Sequence, residues 1–495
     1  MMKRTGDYFK RQHKWLFSIV AVGIALCFAA CKSNDEVAVT SPFDPSKAVT
    51  ITDFVPKTGG GGQRLVVYGS NFGTDTSLVK VMVGGMPAVL VSVKGNALYC
   101  YVPSKAYSGK IQVSVGRGDS TQTATATENF SYEKKMVAGT LCGYKNARGD
   151  QGWQDGPFAT CSGFSLDGVL KFDPLNKTHL YVCYDGADIQ LLDLKNRMLT
   201  TPISRSNFGN QRLRDINFTN DGQYMLVTVD ANYAGMGRTP SEYILKRNAD
   251  GTFNNASSIN LIAAYGSTNG AAIHPVNGEL YFNSYERGQI FRLDMNKYFD
   301  TILNGKQWGP NFSDGNYTEL FTIQDVGWET KIFIHPSGKY AYLLVVNQAY
   351  ILRTDYNEAT KSFAPPYVVA GEARSGGWTD GVGTSARLSR PYQGVFVKNP
   401  DYVAAGRDDQ YDFYFCDSYN DCIRILTPEG IVKTYAGRGN TTTVTDNHTF
   451  GNEDGDLRQV ARFWDPTGIV YDEASKTFYI LDRGNCEMRT ISLEK

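Results

Sequence analysis

The feature that most limits the fold is a repeat. Across Lys134–Lys495 the sequence returns to the same punctuation about every sixty residues. Gly376-Gly377-Trp378-Thr379-Asp380-Gly381 leads to Ala386-Arg387-Leu388, Arg390-Pro391 and Gly394-Val395-Phe396-Val397, then to Tyr414-Phe415-Cys416-Asp417, Asn420 and Ile423-Arg424. Glu453-Asp454-Gly455 leads likewise to Ala461-Arg462-Phe463, Asp465-Pro466, Gly468-Ile469-Val470, Tyr479-Ile480-Leu481-Asp482, Asn485 and Met488-Arg489. Gly152-Trp153-Gln154-Asp155-Gly156 opens a partial copy, and the middle three copies follow by rhythm. Each interval holds four short strands separated by turn residues. Such a unit covers its faces only by stacking on its neighbours.

The arrangement predicts six units. Their inner strands fall near 168–172, 214–218, 270–274, 330–335, 393–398 and 467–472. Second strands follow near 179–184, 224–230, 279–284, 340–346, 411–417 and 477–482, and third strands near 187–193, 241–247, 289–294, 349–354, 422–427 and 486–492. Val368-Val369-Ala370-Gly371 and Val432-Lys433-Thr434-Tyr435-Ala436-Gly437 read as outer strands. Met136-Val137-Ala138-Gly139 has the same ending but precedes the first unit. Residues 135–140 are therefore expected beside 486–493, which closes a ring and removes two exposed edges. The pattern Ala-Gly, Asp-Gly, Ala-Arg-Phe, Pro-x-Gly, Asp, Asn and Ile-Arg resembles NHL repeats. That resemblance implies a six-bladed β-propeller over 134–495.

Val49–Tyr132 alternates differently, in short strands such as Arg64-Leu65-Val66-Val67-Tyr68 and Lys110-Ile111-Gln112-Val113-Ser114-Val115. Its landmarks are Val55-Pro56, Gly59–Gly62, Tyr68-Gly69-Ser70-Asn71-Phe72-Gly73, Val83-Gly84-Gly85 and Val102-Pro103. They resemble the IPT/TIG family, which implies an immunoglobulin-like sandwich over 47–133 serving as a spacer or interaction module. The expected fold class is all-β, an immunoglobulin-like β-sandwich followed by a six-bladed NHL-like β-propeller.

The amino terminus carries an address. Lys3, Arg4, Lys10, Arg11 and Lys14 precede the apolar run Trp15–Ala30, which is shorter than the roughly 20 residues of a bilayer span. Residues 1–30 read as an export signal. Ala29-Ala30-Cys31 resembles a lipobox, implying lipidation at Cys31, and Lys32-Ser33-Asn34-Asp35-Glu36 resembles the surface-export tag of Bacteroidota lipoproteins. Residues 31–46 read as a flexible tether. The expected location is the outer membrane, anchored by lipid and facing the cell surface. Removing residues 1–30 lowers fifty basic and fifty acidic residues to 45 and 49, a formal charge of −4. That balance argues against a nucleic-acid partner.

The long insertions 141–165, 203–212, 231–240, 372–391 and 438–465 fall mainly on one face of the ring, where turns join second to third strands and outer to next inner strands. Loops of that length are uncommon unless functional or disordered, so this face is the expected binding face. Indoles stack on sugar rings, with polar neighbours for the hydroxyls. The candidate ligand-binding residues are Trp153, Trp378, Trp328 and Trp464, with Arg214, Glu329, Gln393 and Arg483 near the channel mouth. Each of the four polar residues reads equally as a paired or solvated side chain, and each tryptophan as loop packing. The expected ligand is a glycan or other small molecule, bound by an accessory of an outer-membrane nutrient uptake system.

Two alternatives stand beside this reading. One is a scaffold docking on an outer-membrane transporter; the other is a calcium-dependent hydrolase or lyase. No catalytic residue, metal ligand or cofactor is assigned, although calcium at the axis stays open. His274-Pro275 and His335-Pro336 read as turn fillers. Seven cysteines follow Cys31; most read as small buried hydrophobes, and Cys142 and Cys161, which flank one long loop, are the first pair to test for a disulfide.

Overall fold

The computed structural model describes residues 41–144, 152–231, 239–254, 258–264, 268–325, 329–439 and 449–494, the side chain of Tyr285 excepted. The export signal, Cys31 and Trp328 lie outside the described residues. The chain divides into two compact units between Lys135 and Met136.

The first unit is a sandwich. One sheet runs in the order Thr50–Val55, Arg64–Ser70, Ala97–Tyr101, Val89–Lys94. The other runs Thr58–Gly59, Gln122–Tyr132, Gly109–Val115, Val79–Val83, Met86–Pro87. Alternation sets which side chains go inside. Leu65 and Val67 on one sheet meet Val81, Ile111, Val113 and Phe130 on the other, and full burial of each contributes about 1.5–3 kcal/mol. Gly69 is required by proximity, since a Cβ there would lie 1.9 Å from the Thr50 carbonyl oxygen. Two residues on, the Asn71 carboxamide donates to the carbonyls of Asp44 and Lys47 at 2.8 and 2.6 Å and accepts from the Asp44 N–H at 2.9 Å. The last residues of the expected tether are thereby held on the sandwich. They line a surface cavity of about 620 Å³ together with Gly95 and Asn96.

The second unit is six four-stranded antiparallel blades. The inner strands are Gly168–Phe172, Arg212–Phe218, Ala271–Ile273, Thr330–Ile334, Pro391–Lys398 and Pro466–Asp472. In the sixth blade the outer strand is Met136–Cys142, paired antiparallel with Glu487–Leu493 in the register Met136 to Leu493 and Ala138 to Ile491. Both ends of the unit thus meet in one sheet, as the repeated Ala-Gly ending predicts. The core lies between adjacent blades. Ile216, Val227 and Tyr181 pack between the first two, and Ile469, Ile480 and Phe463 between the last two. The long connection between Gln289–Leu293 and Tyr317–Thr322 contains the helix Met295–Leu303, and the Trp308 indole N–H donates to the Leu261 carbonyl at 2.8 Å.

Candidate functional site

The described parts of three long insertions dock on blades. Each adds a two-residue fifth strand outside the outer strand of a blade: Gly156–Pro157 beside Met198–Ile203, Gly381–Val382 beside Ile431–Gly437, and Gly455–Asp456 beside Met136–Cys142. The aspartate before each pair clamps a threonine of the outer strand. Asp155 accepts from the Thr201 N–H and hydroxyl, both at 2.8 Å. Asp380 accepts from the same groups of Thr434 at 3.1 and 2.8 Å, and Asp454 from those of Thr140 at 3.1 and 3.4 Å.

The remaining repeat residues hold these clamps from inside. Arg424 is fully buried and bridges Asp417 at 2.8 Å and Asp380 at 2.9 Å. Arg489 repeats the arrangement with Asp482 at 3.0 Å and Asp454 at 2.6 Å. Asn420 and Asn485 donate to the same aspartates at 2.7 and 2.8 Å. The repeat signature is therefore a buried, hydrogen-bonded charge cluster. Leaving either arginine unpaired would be costly.

The described tryptophans remain partly open. Trp153 is 43% exposed and meets Tyr184 edge-on at 4.8 Å. Trp378 is 42% exposed, donates from its indole to the Thr434 hydroxyl at 3.0 Å, and carries the Arg438 guanidinium 4.1 Å over its ring. One face of Trp378 is thus already packed. Trp464 is 37% exposed and stacks on Phe450 at 4.9 Å.

Nearer the axis, the inner-strand starts and the ends of second strands form a charged mouth. Arg390 and Asp167 form a two-pronged pair at 3.0 and 2.5 Å. Asp167 also meets Arg483 at 2.9 Å, and Arg483 meets Asp465 at 2.8 Å. Opposite, Arg214 joins Asp185 and Glu329, each at 2.6 Å, and Arg212 joins Asp185 at 2.5 Å. Burial would raise the Glu329 carboxyl, but Arg214, Lys331 and Arg390 outweigh it and hold the group down at about 2. Asp465 is pushed up by burial despite Arg483. Sequence reasoning missed Asp167, Asp185 and Arg390 as site residues: the first two directly flank the strands expected at 168–172 and 179–184, and Arg390 was read only as part of the repeat punctuation.

Two side chains close the axis below this mouth. The Lys331 ammonium, fully buried, donates to the carbonyls of Arg214 and Asn269, both at 2.8 Å. The Gln393 carboxamide accepts from the N–H groups of Leu170 at 2.8 Å and Ile469 at 3.0 Å, and donates to the Leu170 carbonyl at 2.8 Å. Inner strands have no sheet partner on the axial side, so these struts satisfy backbone groups that would otherwise be bare. Of the four polar candidates, Arg214, Glu329 and Arg483 are ion-paired at the mouth and Gln393 is a strut. Below the struts lies a separate concavity of about 430 Å³ on the short-turn face. Its walls include Phe172, Phe218, Phe333 and Phe396, and Lys171 is the single charged residue in its lining.

Among the described residues, no group of three or more His, Cys, Asp or Glu side chains is placed to hold a metal ion. His274 and His335 occupy equivalent turns. His274 Nε2 bonds the Gly338 carbonyl at 3.0 Å, and His335 Nδ1 bonds the Ser337 hydroxyl at 2.7 Å.

Residues 49–132 match the family described as IPT/TIG domain. No curated protein matches the chain. Among solved structures, a Bacteroides thetaiotaomicron protein with a provisional phosphatase description is 53% identical, with a TM-score of 0.86, covering 92% of this chain and 99% of that one. An auxiliary nutrient binding protein from Bacteroides thetaiotaomicron is 43% identical, with a TM-score of 0.76 and coverage of 92% and 100%. Another from Bacteroides ovatus is 36% identical, with a TM-score of 0.66 and the same coverage. The chain therefore belongs to the Bacteroides family that includes these auxiliary nutrient binding proteins, an IPT/TIG sandwich joined to a six-bladed NHL-like propeller.

Proposed function

We propose that the protein is an auxiliary nutrient-binding lipoprotein of the cell surface, anchored through Cys31, which takes a glycan on the loop-rich face of the propeller and serves an outer-membrane transporter. The observation that carries the reading is full-length similarity, at 43% and 36% identity, to two proteins described as auxiliary nutrient binding proteins. The geometry supplies support of a general kind. Half-exposed indoles at Trp153, Trp378 and Trp464, with a mouth of carboxylates and guanidinium groups nearer the axis, are the groups that stack on sugar rings and bond their hydroxyls. The slight acidity of the chain beyond residue 30 suits an uncharged ligand.

The test is a glycan array followed by calorimetry on the protein, with and without calcium. Binding that weakens in Trp153→Ala and Trp378→Ala supports the reading. Absence of binding to every polysaccharide refutes it. Binding unchanged in both variants but lost in Lys171→Ala or Phe396→Ala moves the site to the short-turn face. A second reading, phosphate-ester hydrolysis, is favoured by the description of the 53% identical relative. Turnover of p-nitrophenyl phosphate that is lost with chelator would establish it. Against it, each cation named at the mouth is matched by a carboxylate.

A further inference from the structure

Two thiols meet beneath the insertion that carries Trp153. Cys142 ends the ring-closing outer strand, opposite Met488. Cys161 lies in the insertion that follows, next to the bridge between Gln154 and Ser162. Both are buried, at 4% and 0% exposure, in one apolar cluster with Phe158, Phe164, Tyr184 and Met488. The Cys142 thiol donates to the Cys161 sulfur, which also accepts from the Gly143 N–H. A disulfide needs its two sulfurs about 2.05 Å apart, and the thiols already face each other in this contact. Two other buried cysteines donate to backbone carbonyls, as the Cys161 thiol itself does to that of Phe158 at 3.9 Å. Cys416 donates to the Gly468 carbonyl at 3.5 Å, and Cys486 to that of Arg483 at 3.3 Å.

We propose that Cys142 and Cys161 form a structural disulfide that fastens the insertion bearing Trp153 to the strand that closes the ring. The chemistry is two successive exchanges with a disulfide oxidant. The Cys161 thiolate attacks the oxidant, releasing one of its thiols and leaving a mixed disulfide. The Cys142 thiolate then attacks the Cys161 sulfur and releases the second thiol. Two electrons pass to the oxidant, and the two thiol protons end on its two sulfurs. Because the pair is buried, the exchange belongs to folding or to an opened state. The bond joins the outer strand of the last blade to the insertion docked on the first, so it restrains the unfolded chain and holds the insertion when the blade edge opens.

The full chain is treated with oxidised glutathione in urea below its unfolding midpoint. Remaining thiols are alkylated in full denaturant, and the protein is digested with trypsin. The expected product joins peptide 136–145 to peptide 149–171, two hydrogen masses below their sum, and it separates on reduction. Both peptides recovered singly and alkylated, or Cys142 joined to any other cysteine, overturns the proposal. Independently, reductant should lower the unfolding temperature of the oxidised protein and leave that of the Cys142→Ala, Cys161→Ala double variant unchanged. An equal effect on both refutes the structural role. Neither measurement depends on the ligand or on the site of anchoring.

Discussion

Replacing Gln393 by leucine tests whether the propeller axis is a closed, dry plug. The side chains have similar size, so the change removes hydrogen bonds and adds little cavity. Three backbone groups lose their partner: the Leu170 N–H, the Leu170 carbonyl and the Ile469 N–H. Gln393 itself is 2% exposed, so solvent does not reach these groups without rearrangement. Each buried group left unpaired costs about 1–3 kcal/mol. The leucine also spares the burial of one carboxamide, so the lower end applies, about 3 kcal/mol in total. That is a large share of a typical stability of about 5–15 kcal/mol. Every tryptophan beyond residue 30 lies in the propeller, so indole fluorescence during urea unfolding reads this unit alone. The midpoint should fall with an unchanged slope. A loss below about 0.5 kcal/mol, the range of ordinary surface substitutions, would mean that water serves these groups and the axis is not plugged.

Other consequences follow from named contacts. Glu329 ionises at about 2 in the folded chain, below its ordinary 4.5, so its contribution is complete above pH 4.5 and disappears as pH falls towards 2. The difference corresponds to roughly 3 kcal/mol, and Glu329→Gln should flatten acid unfolding between those limits while lowering stability at pH 7. Gly69→Ala should unfold the sandwich selectively, since its Cβ meets the Thr50 carbonyl at 1.9 Å. Circular dichroism should then show a second, earlier transition while indole fluorescence stays unchanged. Asp380→Ala removes the Thr434 clamp and one partner of Arg424, a loss of about 2–4 kcal/mol in charged hydrogen bonds. Limited proteolysis should then cut within 372–390 faster than in the parent, and equal rates would show that the fifth strand holds without the clamp.

What could be read along the chain was whatever depends on neighbours in sequence. The second strands His179–Tyr184, Tyr224–Asp230, Tyr411–Asp417 and Thr477–Asp482 begin and end where alternation and turn residues place them, because strand limits are set by local sterics and turn chemistry. Ring closure was legible as well, since Ala138-Gly139 within Met136–Cys142 repeats the Ala-Gly pair that ends the outer strands Tyr367–Gly371 and Ile431–Gly437. The role of the Asp-Gly pairs was not. Their aspartates bond to threonines 46, 54 and 314 positions away, and sequence spacing carries no record of such a partner. The site divides in the same way. The tryptophans stood out because insertions interrupt the period, whereas Gln393 was read as a mouth residue when its amide spans the axis to a strand 223 positions distant. Local order of strands follows from the sequence itself. Which polar side chains are spent on holding the ring, and which remain for a ligand, is decided only when the six inner strands converge on one axis and their unpaired backbone groups must find partners there.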